Sequence, residues 1–257
     1  MHAPRKRFGQ HFLTDRHYLE RIVKAIAPNA GESMVEIGPG PGALTERLAQ
    51  VVQPLHVVEI DRDLVAGLRD RFTSEQVVVH EGDALAFDFS QLDAPLRVVG
   101  NLPYNISTPI LFHVAAFADR IADCTFMLQK EVVDRMAAEP DSADYGRLSV
   151  MLQYRFAVRS LLRVPPGAFT PPPKVDSAVV QLKPLAANRL RARDDALFAR
   201  VVMAAFTQRR KTLRNALRAV GESAAFEASG VDLARRGETL SVAEFVSLAD
   251  CAAPTRP

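Results

Sequence analysis

Cysteine is scarce: the 257 residues hold two, Cys124 and Cys251, far apart in the chain. They match no metal-ligand spacing and build no disulfide framework, which excludes zinc-ribbon and small secreted classes and points to a reducing compartment. Long apolar runs are missing too. No stretch approaches 18 apolar residues, and MHAPRKRFGQHFLTDRHYLERIV contains no apolar core of signal-peptide length. A cytoplasmic protein without membrane association is expected. Internal repeats and low-complexity tracts are absent, and 48% hydrophobic content excludes a disordered or fibrous chain. Net charge is only +2, but it is unevenly spread. Basic residues number 6 against 2 acidic over residues 1–30, 14 against 20 over 31–184, and 12 against 8 over 185–257. Positive ends around an acidic middle suit a polyanion held by peripheral elements.

The apolar positions that are present fall into a regular order. Tyr18, Leu19, Ile22, Val23 and Ile26 recur at helical spacing and stop before Pro28 and Gly31, predicting a helix over 15–28. Short runs follow at 34–37 (MVEI), 55–60 (LHVVEI), 77–80 (VVVH), 96–100 (LRVVG) and 124–128 (CTFML), separated by helix-length segments. Strands alternating with helices predict a doubly wound, mostly parallel α/β sheet. Residues 148–164 read as helix running into strand, and 175–183 alternate as a strand able to pair antiparallel at an edge. Residues 184–193 read as a linker, and nothing beyond them has a strand signal. Two domains are expected: 1–185, Rossmann-like with an N-terminal lid segment, and 186–257, small and all-helical.

Chemistry concentrates after the strands. VEIGPGPGALTERL places Gly38, Gly40 and Gly42 between a strand and a helix, where glycines let the backbone turn tightly and approach a nucleotide closely. Alone, the glycines indicate only a nucleotide-type cofactor. Glu59 ends the second strand, where a carboxylate accepts both ribose hydroxyls, and Asp83 follows the third. In a Rossmann-like sheet those strand ends line one crevice. Nicotinamide cofactors and S-adenosylmethionine both carry an adenosine, so these residues leave hydride and methyl transfer open.

VVGNLPYNIST narrows the choice. Adenine N6 is a poor nucleophile because its lone pair is delocalised into the ring. An enzyme methylating it must hold both N–H groups with acceptors and turn the lone pair toward the donor. The Asn101 side-chain carbonyl and the Leu102 main-chain carbonyl supply two acceptors. Pro103 biases Leu102 toward extended backbone, and Tyr104 offers a ring for an extruded base. No general base and no metal are required. His56, His80 and His113 lack evident partners and read as structural or surface residues.

At this point the strings RKRFGQHFL, VEIGPGPGALT, GNLPYNIST, MLQKEV, YGRLSV and VPPGAFTPPPKVDSAV, in that order from Arg5 to Lys183, with AFTQRRKTLRN beyond, resemble the small-subunit ribosomal RNA adenine dimethyltransferase family. The resemblance implies a class I S-adenosyl-L-methionine-dependent methyltransferase fold with S-adenosyl-L-homocysteine as product. It also implies that four methyl groups reach two adjacent adenosines in a hairpin near the 3′ end of 16S rRNA, on the assembling small ribosomal subunit. Carried over residue by residue, cofactor contacts fall on His11, Leu13, Gly38, Glu59, Asp83 and Asn101. The adenine pocket falls on Asn101, Leu102 and Tyr104, with Phe169 stacking on the base face opposite Tyr104. His11 departs from the pattern, since many members carry Asn there.

The RNA grip is expected on basic clusters. Read as one helix, TQRRKTLRNALRAV repeats Arg210, Arg214 and Arg218 every four residues with Lys211 beside them, a stripe shaped for phosphates. Arg5, Lys6 and Arg7 form a second cluster and Arg147 a third site. Nothing demands more than a monomer. Rival readings are a large-subunit rRNA dimethylase, a DNA adenine methylase, a ribosome-assembly checkpoint factor whose binding outweighs its chemistry, and an NAD-dependent oxidoreductase. The last leaves Asn101 to Tyr104 unexplained.

Overall fold

A computed structural model describes residues 11–186 and 190–253. The strands are β1 (Phe12–Leu13), β2 (Ser33–Ile37), β3 (Leu55–Glu59), β4 (Val77–Glu81), β5 (Leu96–Asn101), β6 (Ile121–Gln129), β7 (Phe156–Val164), β8 (Phe169–Thr170) and β9 (Ser177–Pro184). The helices are α1 (Arg16–Ile26), α2 (Thr45–Leu48), α3 (Arg62–Arg71), α4 (Ser107–Ala116), α5 (Lys130–Ala137), α6 (Arg147–Gln153), α7 (Asp195–Thr207), α8 (Leu213–Ala216), α9 (Ala224–Glu227) and α10 (Val242–Ala252). Seven strands form one sheet in the order β4-β3-β2-β5-β6-β9-β7. β4, β3, β2, β5 and β6 run parallel, and β9 returns antiparallel to β6. Met34, Val35, Val57, Val98 and Val99 are buried, as expected of central parallel strands covered on both faces.

The segment expected to act as a lid pairs as soon as it enters the described residues. β1 and β8 form a separate antiparallel ribbon, Phe12 opposite Thr170 and Leu13 opposite Phe169. Two-residue strands carry no periodicity, which is why the sequence pattern shows neither.

α1 begins where Asp15 caps the His17 and Tyr18 amides at 2.8 and 3.3 Å and buries Leu19, Ile22 and Ile26. Its far end is held by Arg97 of β5. The Arg97 guanidinium grips Asp123 of β6 through Nε and Nη2 (2.9 and 3.0 Å) and Glu32 through Nη1 (2.8 Å). It also donates to the Ala27 and Ile26 carbonyls at 3.1 and 2.5 Å. All five N–H bonds therefore have partners in a site where Arg97 is 8% exposed.

A ring cluster joins β3, β4 and α4. His56 Nδ1 and His80 Nε2 lie 2.9 Å apart, His80 meets the Phe87 ring edge-on, and His113 Nε2 donates to the Phe87 carbonyl at 2.7 Å. The histidines without evident sequence partners thus find one another and a carbonyl across strands. Burial holds both His56 and His80 below the ordinary 6.5, with mutual repulsion adding to His56 and Asp93 opposing it. Their native state favours the neutral rings, so this contribution is complete above about pH 6.5 and lost as pH falls through the lowered values. The thermal transition is expected to drop between pH 6.5 and 5, and His80→Gln to flatten that drop. Equal slopes in variant and parent would contradict it.

The chain packs as two units. One takes in residues up to Val133 together with Ala157–Pro184; the other joins Asp134–Phe156 to Leu185 and beyond. The sequence boundary at 185/186 therefore needs correction for Asp134–Phe156. The reason is apolar: Tyr145, Val150 and Tyr154 share a core with Phe198, Val201, Phe226 and Phe245. Tyr145 Oη donates to the Leu240 carbonyl at 2.7 Å, and Tyr154 stacks on Phe198 at 4.1 Å. Within that unit TQRRKTLRNALRAV is not one helix. α7 ends at Thr207, Gln208 takes φ −133° and ψ 73°, and Thr212 starts α8 from extended backbone. Among the described residues no helix is long and apolar enough to cross a membrane.

Candidate active site

β3 continues the sheet on one side of β2 and β5 on the other, so a crevice opens at the carboxyl ends of these strands. It holds a cavity of about 300 Å³ lined by Gly38, Gly40, Glu59, Asp83 and Asn101 to Tyr104, closed on one side by His11 and Phe12. Gly40 sits at φ +57°, and a Cβ there would lie 3.1 Å from the Phe12 ring. Only glycine serves both demands. Gly100, one residue before Asn101, meets the neighbouring backbone closely: a Cβ would fall 2.3 Å from the Ile37 carbonyl oxygen. The bare Cα lets β5 press on β2 and brings Asn101 beside the glycine loop.

Glu59 is 6% exposed, and its carboxylate accepts from the amides of Gly40 (3.2 Å), Ile60 (3.0 Å) and Asp61 (2.9 Å). Those bonds fix it in the crevice and use three of roughly four acceptor directions. Burial raises its pKa, and the three amides oppose that rise. Asp83 is exposed and caps its own turn through the Leu85 amide at 2.9 Å. Two acids, two close-approach glycines and an apolar wall fit an adenosine-bearing cofactor. Among the described residues no cluster of three His, Cys, Asp or Glu side chains is arranged to hold a metal ion.

Asn101 is oriented by its neighbour across the crevice. Its Nδ2 donates to the His11 carbonyl at 2.9 Å, which turns Oδ1 the other way. The Leu102 side chain is buried, its amide donates to the Met127 carbonyl at 3.1 Å, and its own carbonyl takes no hydrogen bond among the described residues. Tyr104 is held by its hydroxyl, 2.6 Å from Ser177 Oγ, and its ring stacks with His11 at 5.4 Å and 25°.

Other site residues lie elsewhere than expected. Phe169 is 3% exposed, packs in the core with Leu13 and Leu19, and does not line the cavity. Its β8 pairing with β1 seats the side chain in that core. Leu13 is likewise a core residue, leaving only its main chain for ligand contact. His11 lines the cavity, but its Nδ1 is engaged by the Pro171 carbonyl at 2.8 Å. The basic stripe is broken by the bend at 208–212. Arg210 and Lys211 are exposed in that bend, Arg214 on α8 lies 3.7 Å from Glu227, and Arg218 follows α8. Arg147 is exposed at the start of α6. Arg5, Lys6 and Arg7 lie outside the described residues.

Sequence reasoning missed Glu36. Two residues before Gly38, it is 2% exposed and accepts from Thr45 Oγ1 at 2.7 Å, pinning the start of α2 under the glycine loop. Burial, reinforced by the nearby Glu59 and opposed by the Thr45 bond, raises its pKa to about 7. The native state prefers the neutral acid, so stability is complete near pH 4.5 and lost as pH rises toward 7. Glu36→Gln is expected to gain up to about 3 kcal/mol on the parent between pH 5 and 8 in denaturant titrations. A pH-independent difference would contradict this.

With the geometry in place, comparison with known proteins is decisive. A model of the family described as ribosomal RNA adenine dimethylase matches residues 1–253. The chain belongs to the ribosomal RNA adenine dimethylase family. Relatives of this dimethylase include the ribosomal RNA small subunit methyltransferase A of Aromatoleum aromaticum, 59% identical over 100% of this chain and 97% of the relative. That of Thiobacillus denitrificans is 58% identical over 96% and 97%. Among solved structures, a dimethyladenosine transferase from Plasmodium falciparum superposes with TM-score 0.76 at 23% identity over 93% of this chain and 96% of that one. The 23S rRNA methyltransferase ErmE gives 0.70 at 26% identity over 94% and 99%. The dimethylase therefore has a Rossmann-like methyltransferase fold in its sheet-bearing unit, and its second unit is helical.

Proposed function

We propose that the protein transfers methyl groups from S-adenosyl-L-methionine to adenosine N6, leaving S-adenosyl-L-homocysteine. Its target is the pair of adjacent adenosines in a hairpin near the 3′ end of 16S rRNA, met by a cytoplasmic monomer on the assembling small subunit. The observation that carries this reading is the orientation of Asn101. With Nδ2 bound to the His11 carbonyl, Oδ1 is left as an acceptor beside the Leu102 carbonyl, which takes no hydrogen bond among the described residues, the pair that two N6–H donors need. The bound cofactor supplies an electrophilic methyl on a sulfonium sulfur. Gly38, Gly40, Glu59 and Asp83, with the main chain at Leu13, hold it in the crevice. The Tyr104 ring, fixed through Ser177, is the surface for an extruded base. Pro103 keeps the Leu102 carbonyl presented by favouring extended backbone before it.

Phosphates would be met by Arg210, Lys211 and Arg218 around the 208–212 bend, with Arg214 and Arg147 adding to the field and Arg5, Lys6 and Arg7 contributing at the N-terminus. The names of the 53–59% identical relatives favour the small subunit over the large. The test compares incorporation of labelled methyl into undermethylated small subunits, large subunits and naked DNA. Label confined to small-subunit RNA is expected; label in large subunits or DNA would overturn the substrate reading.

A further inference from the structure

The glycine loop has an acid behind it. Glu36 on β2, Val99 on β5 and Thr125 on β6 stand at matching positions of three adjacent strands. Glu36 and Thr125 line a second, smaller cavity of about 40 Å³, whose other walls are the glycine loop, Asn101 and apolar side chains. This cavity shares Phe12, Gly38, Gly40 and Asn101 with the main crevice, so the two adjoin at the loop. Thr125 Oγ1 is buried and has no hydrogen-bond partner among the described residues, and Glu36 is bonded through Oε2 to Thr45. A space of this size admits water, which needs about 10–15 Å³. Among the described residues Glu36 is the one titratable side chain lining it. Burial, reinforced by Glu59 and opposed by the Thr45 bond, raises Glu36 to about 7. Glu59 itself lines the crevice. A charge at the crevice wall is therefore felt at Glu36, and a cation there acts in the opposite sense. The other acids of the crevice are engaged, Glu59 by three amides and Asp83 by its own turn.

We propose that Glu36, facing the small cavity with Thr125, is the counter-charge of the cofactor site, releasing a proton to solvent when S-adenosyl-L-methionine binds and regaining it when S-adenosyl-L-homocysteine is left. The inference rests on the cofactor reading above. The two compounds differ by one methyl group and by the positive charge on sulfur that it brings. A neutral carboxyl behind the loop does not distinguish them, whereas a carboxylate favours the sulfonium. The Thr125 hydroxyl, directly or through water, is the donor left for that carboxylate once Thr45 is engaged. Four methyl transfers to one RNA need the spent cofactor exchanged after each. A group that answers to the charge on sulfur holds the methyl donor more tightly than the product.

The test is isothermal titration calorimetry of the full chain with each compound, in two buffers of different ionisation heat at pH 6.5, which counts protons released on binding. With S-adenosyl-L-methionine the parent is expected to release roughly half a proton or more, and with S-adenosyl-L-homocysteine close to none. The ratio of the two affinities should rise about fourfold in favour of the methyl donor between pH 5.5 and 7, the effect of a tenfold change in one carboxyl's acidity. Glu36→Gln should abolish both the release and the rise. Thr125→Val, which removes the hydroxyl and leaves the acid, should reduce the release at pH 6.5. His11 lines the crevice as well, and histidines change charge between pH 5 and 8, so His11→Asn is the control and should keep the release. Equal release with both compounds in the parent, release that persists in Glu36→Gln, or release lost in His11→Asn would overturn the proposal. A parent that binds neither compound would overturn the cofactor reading, and this inference with it.

Discussion

Asn101→Ala is expected to lower kcat for methyl transfer about 100- to 1000-fold, the range seen when one preorganised polar group is removed from a reacting centre. The substitution deletes the acceptor Oδ1, and with it the bond from Nδ2 to the His11 carbonyl. N6 then keeps one acceptor, the Leu102 carbonyl, and is free to rotate its lone pair away from the methyl donor. Because that alignment matters most as the new bond forms, kcat and kcat/KM should fall together. Asn101→Asp retains an acceptor oxygen but sets a second one against the His11 carbonyl, so it should recover only part of the loss. Steady-state kinetics with undermethylated subunits measure this. A rise in KM with unchanged kcat would mean that Asn101 serves binding alone.

The largest stability effect is expected at Arg97. Its side chain is nearly buried, and removing it strands Asp123, Glu32 and the α1 carbonyls of Ile26 and Ala27. Arg97→Ala should cost about 3–5 kcal/mol, the penalty for leaving one side of a buried ion pair uncompensated. The transition of the sheet-bearing unit should fall by roughly 10 °C on the usual scaling for a domain of this size. Arg97→Met combined with Asp123→Leu removes both the cation and one stranded anion, and should recover much of the loss. Differential scanning calorimetry separates these outcomes. A double variant no better than Arg97→Ala would show that the carbonyl contacts, not the charge, dominate.

The legible parts of this molecule were those with a period or a chemical signature. Val, Ile and Leu runs placed β2 to β6 within a few residues, because central parallel strands must be apolar on both faces. The glycine loop, Glu59 and Asn101 were legible because each residue type has a reason to stand at a strand end. What the pattern did not contain is pairing. β1 and β8 are two residues each, and their ribbon is what packs Phe169 beside Leu13 and Leu19. TQRRKTLRNALRAV has helical periodicity throughout, yet a bend at 208–212 separates Arg210 from Arg214, since local spacing does not register where tertiary packing breaks a helix. Residues 134–156 resemble a continuation of the sheet domain in sequence, but Tyr145 and Tyr154 find their apolar partners among the C-terminal helices. His11 Nδ1 and Pro171, 160 positions apart, meet only in the fold.

The central claim concerns one atom of one base, and the most direct measurement locates the methyl carbons. RNA from undermethylated small subunits, treated with the protein and S-adenosyl-L-methionine, is cut to short fragments and then to nucleosides for mass spectrometry. The account predicts one fragment from near the 3′ end of 16S rRNA bearing N6,N6-dimethyladenosine at two adjacent positions, and none after Asn101→Ala. Methyl groups on adenine N1, on a ribose hydroxyl or on another base would contradict it.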